Sequence, residues 1–223
     1  MTRSVETLVK DPELVAKRHE QICQAALTLF SRKGYYRTSV REIAKAAGLS
    51  IGALYSYIKN KEDIFFLIYQ RILSIFRERM LKAAEGIEDP DLQLKAAFKE
   101  TLRIYDEYRD EVLLLYQESH VLGRQALQSL MEVDRQYASF FQEILERGNR
   151  EGRFAVKEPN LIAVSLLFLC AVWALKGWNL KGYTLDETIH HLIPFIFHGI
   201  KGFGPQEEKR EPEEARDEGS RHR

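Results

Sequence analysis

The order of apolar and polar residues along the chain predicts helices almost throughout. Apolar side chains recur at intervals of three and four residues, and no stretch shows the strict alternation that is typical of a half-buried strand. Most prolines fall between the periodic stretches, and Pro194 alone lies inside one, where it should kink the helix or mark a late start. The pattern predicts helices at about 14–33, 39–47, 51–57, 61–85, 91–109, 111–121, 124–151, 159–177 and 186–202.

The stretch "LIAVSLLFLCAVWAL" (161–175) is apolar except for Ser165. It is shorter than the roughly 20 residues that a membrane-spanning helix needs, so we interpret it as a buried helix. A helix that is apolar on nearly every face must be covered on every face. We therefore expect it to form, together with "IHHLIPFIFHGI" (189–200), a four-helix interface with a second copy of the chain. Packing inside a single protomer is the alternative.

A second pattern lies in residues 38–64. "TSVREIAKAAG" has the spacing of a short helix, Gly48 ends it, and another short helix follows. With the helix at 14–33, this arrangement predicts a helix-turn-helix within a three-helix unit, whose second helix is free to enter the major groove of DNA. Gly52 fits this hypothesis, because a missing side chain lets the backbone approach the double helix.

Charge supports the same hypothesis. The 223 residues carry 33 basic and 33 acidic side chains, so the net charge is zero. Residues 1–62 contain eleven Lys/Arg and six Asp/Glu, a difference of +5, and the remainder must carry −5. A basic N-terminal third suits a polyanionic partner such as DNA.

Several other protein classes find no support in the composition. Cys23 and Cys170 lie in apolar helical settings, as buried thiols of a reducing cytosol do, and the N-terminal segment lacks the apolar core of a signal peptide. His190, His191 and His198 share one predicted helix, with no Cys or acid at ligand spacing beside them. We therefore expect a cytoplasmic protein with no metal site, no cofactor, no membrane association and no enzymatic activity.

Residues 22–64 resemble the DNA-binding region of TetR/AcrR-type regulators. The resemblance rests on "TSVREIAKAAGLSIGALYSYIKNKEDI" (38–64), preceded at the family's spacing by Phe30, Gly34 and Tyr35. Ile58 departs from the pattern, because the family usually has phenylalanine there to pack the recognition helix onto its neighbours. Isoleucine is smaller but apolar, so we expect repacking and no loss of function.

The resemblance implies an all-α protein with two domains. A helix-turn-helix DNA-binding domain would occupy residues 1–62 and a larger helical ligand-binding and dimerisation domain residues 63–204. The charged segment 205–223 is predicted to be disordered. The implied function is that of a dimeric transcriptional repressor, which binds a palindromic operator and is released by a hydrophobic small molecule.

The family pattern also implies roles for single residues of the DNA-binding domain. Gly52 would allow the close approach of the backbone. The implied phosphate contacts are Thr38, Ser56, Tyr57 and Lys61, and the implied base contacts are Ser50, Ile51, Ala53 and Tyr55.

Aromatic residues recur along the middle helices and predict a mainly apolar ligand pocket. Packing in an ordinary core is the alternative for each of them. The predicted lining residues are Tyr69, Phe76, Phe98, Tyr105, Phe140, Phe141 and Trp173.

The sequence is compatible with more than one class of effector. "FFQEILERGNREGRF" (140–154) resembles family members that sense acyl-CoA thioesters, so a long-chain acyl-CoA is the first candidate, with Arg103 and Arg109 as possible phosphate partners. A multidrug-sensing repressor is the alternative and would place an acid such as Glu107 or Glu118 in the pocket. A helical carrier of hydrophobic molecules without a DNA function is a third hypothesis.

Overall fold

The structure is a computed structural model and describes residues 5–202, so the predicted disordered tail at 205–223 lies outside the described residues. Within that range the chain forms nine α-helices and one 3₁₀ turn, with no strand. The helices are α1 (Pro12–Lys33), α2 (Val40–Ala46), α3 (Ile51–Tyr55), α4 (Lys61–Ala84), α5 (Pro90–Glu107), α6 (Arg109–Glu118), α7 (Arg124–Arg150), α8 (Pro159–Leu175) and α9 (Leu185–Ile200).

Local sequence signals explain where the helices begin. Pro12, Pro90 and Pro159 each occupy the first position of a helix, where the missing N–H costs nothing. Ser39 and Thr184 each form a capping box, in which a glutamate three residues later returns a hydrogen bond to the cap. Each of these signals lies within a few residues of the helix start that it marks. The sequence therefore predicted most helix starts to within two residues of those in the structure.

Three details differ from the predicted pattern. The helix that was expected at 111–121 is α6 followed by a separate 3₁₀ turn, Ser119–Val121. The recognition helix α3 ends at Tyr55, because the next two residues form a turn. Pro194 lies inside the continuous helix α9 and does not delay its start.

Helix α4 belongs to both parts of the molecule. Its first turns pack against α1, and α1 in turn packs on α2 through a small core that includes Ile22, Phe30 and Ile43. Farther along, α4 contacts α5, α6 and α7, which with α8 and α9 form the larger helical part. Helix α4 is therefore a continuous element that contacts both the three-helix head and the larger helical part.

Helix α8 is covered on one face only within the protomer. Ala163, Cys170 and Ala174 are buried against neighbouring helices, whereas Phe168 is 56% exposed and Leu161 is exposed as well. The expectation that this helix is buried all round is therefore not met inside a single protomer. No helix within residues 5–202 is long and apolar enough to cross a membrane.

The end of α7 depends on a glycine. A Cβ atom at Gly148 would overlap the ring of Phe154, a buried residue that packs edge-on against Phe197 of α9. We expect Gly148→Ala to lower the free energy of unfolding by about 1–3 kcal/mol through overpacking, measured by urea denaturation. Gly182→Ala, where a Cβ would meet no atom within 4 Å, is the matched control. Equal stability of the two variants would contradict this account of the α7 end.

Candidate functional sites

The turn between α2 and α3 presents the short helix α3 at the surface. Gly48 adopts a φ of 64°, which favours glycine, and its amide donates to the Lys45 carbonyl at 3.1 Å. Ser50 then caps α3, because its hydroxyl accepts a hydrogen bond from the Ala53 amide at 3.1 Å. Leu54 anchors α3 in the small core of the head and is fully buried.

The outer side of α3 is exposed. Tyr55 is 45% exposed and Ile51 41%, so both side chains are accessible to a molecule that approaches this surface. Of the residues that the sequence predicts to face bases, Ser50, Ile51 and Tyr55 are exposed, and Ala53 is half-buried. Gly52, which was expected to allow close approach of the backbone, is also exposed.

The predicted phosphate contacts are less accessible. Thr38 is only 1% exposed, and its hydroxyl donates to the Gly34 carbonyl at 2.8 Å. Tyr57 is buried, and its carbonyl lies 2.9 Å from Nε2 of His19. Ser56 is half-buried. The structure thus uses the Thr38 hydroxyl to hold the loop before α2, and only a movement of that loop would bring it to a phosphate.

Lys61 ties the start of α4 to the same loop. Its ammonium donates to the Tyr35 carbonyl at 3.0 Å and to the Thr38 carbonyl at 3.1 Å, and it lies 4.1 Å from the centre of the Tyr35 ring. Partial burial lowers the pKa of Lys61. An ammonium has three donors, so one remains for a phosphate.

Two further contacts of the head have no obvious signal in the sequence. The side chain of Thr7 and the amide of Leu8 both donate to the Ser56 carbonyl, each at 2.9 Å, so residues before α1 hold the end of the recognition helix. Tyr36 and His120 share a hydrogen bond of 2.9 Å that joins the loop before α2 to the 3₁₀ turn after α6. The sequence distance of 84 residues between the second pair explains why no local pattern could reveal it.

A cavity of about 180 Å³ lies between α4, α5, α6 and α7, with one contribution from α8. Tyr69, Phe76 and Tyr105 line it, as the sequence predicts, and aliphatic side chains complete its walls. Tyr116, Tyr137 and Asp134 also line this aromatic cavity, and none of the three was among the predicted lining residues.

The other predicted pocket residues do not reach the aromatic cavity. Phe98 and Phe141 are core residues, with exposures of 2% and 0%. Phe140 lines a separate cleft between α5 and α7, and the indole N–H of Trp173 donates to the Asp106 carboxylate at 2.8 Å.

The charged residues that were considered as ligand partners are also elsewhere. Arg103 lies 3.6 Å from Glu100, and Arg109 lies against Gly177. Glu107 forms an ion pair of 2.5 Å with Arg79. Glu118 lies 3.9 Å from His120. None of the four lines the aromatic cavity.

Asp134 is the charged residue of the aromatic cavity, among the residues that the structure describes. It is solvent-accessible at the mouth, yet the protein atoms around it displace water and raise the pKa of its carboxyl group. Burial, followed by the charge of Asp134, raises the pKa of Tyr69 to about 12. Burial also raises the pKa of Tyr105 well above its ordinary value. The tyrosines therefore act as neutral hydrogen-bonding groups and not as nucleophiles.

Metal chemistry has no cluster of ligands to use in the described part of the chain. No group of three or more His, Cys, Asp or Glu side chains lies close enough together to hold an ion between residues 5 and 202.

Comparison with known proteins identifies both parts of the molecule. Residues 22–68 match the family profile "Bacterial regulatory proteins, tetR family", and residues 88–200 match "Tetracyclin repressor-like, C-terminal domain". The chain belongs to the TetR family. It is therefore a transcriptional regulator with an N-terminal helix-turn-helix and a C-terminal helical domain.

Other members of the TetR family are similar along most of the chain. The HTH-type transcriptional regulator HbdR of Aromatoleum sp. (strain CIB) is 29% identical over 86% of this chain and 87% of its own length. The fatty acid metabolism regulator protein of Bacillus subtilis (strain 168) is 29% identical over 82% of this chain and 95% of its own. AibR, solved with isovaleryl coenzyme A and operator DNA, has a TM-score of 0.69 at 22% identity and covers 81% of this chain and 98% of its own. The likeness to AibR shows the fold.

The geometry of the head predicts different effects for two substitutions. Lys61→Ala should weaken binding to all DNA sequences and reduce the slope of log affinity against log salt by about one, because a positive charge near the predicted phosphate contacts is lost together with the hydrogen bonds to the Tyr35 and Thr38 carbonyls. Tyr55→Ala should change the preference among operator variants at a nearly unchanged slope. Both are measured by fluorescence anisotropy at several salt concentrations, with thermal unfolding as the control for the fold. Variants that both bind like the parent protein would rule out this placement of the recognition surface.

Proposed function

We propose that the protein is a cytoplasmic, homodimeric repressor that binds a palindromic operator and is released from it by a hydrophobic small molecule. Our first effector class is an acyl-CoA thioester. The observation that carries the proposal is the position of the aromatic cavity, whose wall includes Tyr69, Ile72 and Phe76 of α4. The same helix begins at Lys61, which holds the loop before α2.

This arrangement gives a ligand a direct way to move the head. A molecule that widens the aromatic cavity displaces the far half of α4, and the near half carries α1 to α3 with it. A ligand shifts an equilibrium only by its differential affinity for the two states. The effector is therefore expected to bind the DNA-free arrangement more tightly than the DNA-bound one.

The exposed faces of α8 and α9 support a homodimer. An open apolar groove of about 740 Å³ is lined by Ile162, Leu166 and Leu169 of α8 and by Phe195 of α9, which is 71% exposed. Phe168 is also exposed, on a neighbouring face of α8. Soluble monomers rarely display a continuous apolar surface of this kind. A dimer would also pair two reading heads, and a single head makes too few contacts for tight binding.

The thioester class is supported by similarity and by cavity size. The Bacillus subtilis relative is a fatty acid metabolism regulator, and AibR, with the same fold, binds isovaleryl coenzyme A. Ligand pockets usually measure about 300–1,000 Å³. A cavity of about 180 Å³ suits an acyl group whose coenzyme part lies outside, and it favours a compact acyl group over the long chain that was expected from the sequence.

One observation favours a second candidate, a repressor that senses cationic drugs. Asp134 lies at the mouth of the aromatic cavity, with no ion pair or hydrogen bond to any other residue between 5 and 202. Aromatic faces and a carboxylate together attract an organic cation. The acid differs from Glu107 and Glu118, which the sequence reasoning named, but it provides the same chemistry.

The proposed dimer predicts the behaviour of a charge on α8. Phe168 is exposed in the protomer, so Phe168→Glu should leave the protomer folded, whereas burial of an uncompensated carboxylate in the interface costs several kcal/mol. We expect a folded monomer with poor operator affinity, measured by light scattering and anisotropy. The matched control is Leu92→Glu, a similar change at an exposed residue of α5. A Phe168→Glu variant that stays dimeric and binds normally would place the interface elsewhere.

The effector class is tested by titration of the protein–operator complex. An acyl-CoA series from acetyl to palmitoyl should release DNA with an optimum at a short or medium chain, because the aromatic cavity is small. Free CoA is the control and should release none. Release by quaternary ammonium compounds alone, lost in Asp134→Asn, would support the second candidate and reject the first. A complex that no compound of either series dissociates would contradict both.

A further inference from the structure

A polar cleft of about 140 Å³ lies directly beside the aromatic cavity, between α4 and α7. Leu73 and Tyr137 form part of both linings. The lining of the polar cleft combines the polar side chains of Gln70, Ser74, Arg77, Ser129 and Gln136 with the apolar side chains of Phe66, Leu130 and Val133 and the two shared residues. The two spaces thus share a wall but differ in chemistry.

The shared wall contains one large aromatic side chain, Tyr137. Tyr137 is 4% exposed, and its hydroxyl donates a hydrogen bond to the Leu73 carbonyl of α4. Its ring lies 6.3 Å from the ring of Phe76, inside the aromatic cavity. Rotation of Tyr137 would open a passage from the apolar space to the polar cleft at the cost of that hydrogen bond.

The charges on the two sides of Tyr137 are opposite. Arg77 is the charged residue among those that line the polar cleft, and its guanidinium forms no hydrogen bond or ion pair with any residue that the structure describes. Asp134 is its counterpart in the aromatic cavity. A ligand with phosphate groups is therefore repelled at the mouth beside Asp134 and attracted at the cleft beside Arg77.

We propose that the polar cleft binds the anionic part of a thioester effector while the acyl group occupies the aromatic cavity, with Tyr137 as the movable partition. The inference rests on the proposed thioester class and names the subsite that this class requires. Guanidinium groups bind phosphate through paired, charge-assisted hydrogen bonds, and the amides of Gln70 and Gln136 and the hydroxyl of Ser74 supply further donors. Because Gln70, Ser74 and Arg77 all belong to α4, the bound effector would contact this helix on both sides of Tyr137.

The subsite is tested by calorimetric titration of the full chain with octanoyl-CoA and with octanoyl-pantetheine, which lacks the phosphates. The variants are Arg77→Gln and, as matched control, Arg103→Gln, an exposed arginine of α5 that lines neither space. We expect Arg77→Gln to lower the affinity for octanoyl-CoA about tenfold at low salt, which corresponds to the loss of one charge-assisted hydrogen bond. Octanoyl-pantetheine should bind the parent protein and both variants equally.

Each outcome bears on one of the two proposals. Equal affinity of Arg77→Gln and Arg103→Gln for octanoyl-CoA, or equal weakening of both ligands by Arg77→Gln, would reject the polar cleft as the anion subsite while the thioester class stands. A parent protein that binds neither ligand would reject the class and the subsite together. Tyr137→Phe should speed the association of both ligands several-fold in stopped-flow measurements, and an unchanged rate would remove Tyr137 from the proposal.

Discussion

The contact of Lys61 with the loop before α2 is the constraint on which the rest of the molecule depends. One ammonium group satisfies two backbone carbonyls, of Tyr35 and Thr38, and faces an aromatic ring, in a site partly withdrawn from water. Because hydrogen bonds to charged groups are stronger than neutral ones, this contact fixes the start of α4 relative to the helix-turn-helix. The orientation of α4 relative to the helix-turn-helix therefore depends on this one side chain.

The larger helical part acts on that direction from the opposite end. The aromatic cavity and the polar cleft both use side chains of α4, and the 3₁₀ turn that follows α6 adds the hydrogen bond between His120 and Tyr36. Besides its contacts with α1, the loop before α2 is joined to α4 by Lys61 and to the 3₁₀ turn by the hydrogen bond between Tyr36 and His120. A ligand that moves α4 without α6 would have to stretch or break that hydrogen bond, so the two helices are expected to move together.

Sequence reasoning predicted the helices and the helix-turn-helix well, because periodicity, caps and prolines act over a few residues. Gly48, Ser50 and the capping box at Ser39 can all be recognised without any tertiary information. The family resemblance, confirmed by both profiles, came from the same short-range pattern.

The lining of the aromatic cavity could be predicted only in part. Phe76, Phe98 and Phe141 each lie on the apolar face of a helix, so the sequence does not distinguish them. The packing of several helices decides that Phe76 lines the cavity while Phe98 and Phe141 lie in the core. Asp134 was overlooked because it lies in a polar stretch, "MEVDRQY" (131–137), that looks like a solvated surface. Helix α8 shows a second limit of sequence-based prediction. Its apolar sequence predicts that each face must be covered, but it does not identify whether the same protomer or another molecule covers that face.

The hydrogen bonds from Thr7 and Leu8 to Ser56 have a consequence for exchanging specificity between regulators. The residues that donate these hydrogen bonds to the end of the recognition helix precede the whole helix-turn-helix motif. They are therefore not transferred when the recognition helix alone is transplanted. A graft of residues 50–57 from another regulator would bring new side chains to the DNA groove, but the contacts with Thr7 and Leu8 would not be matched to the grafted segment. Substitutions at exposed positions such as Ile51 and Tyr55 would leave the hydrogen bonds of Thr7 and Leu8 to Ser56 in place. These positions are therefore the best ones to change in order to obtain specificity for a new operator.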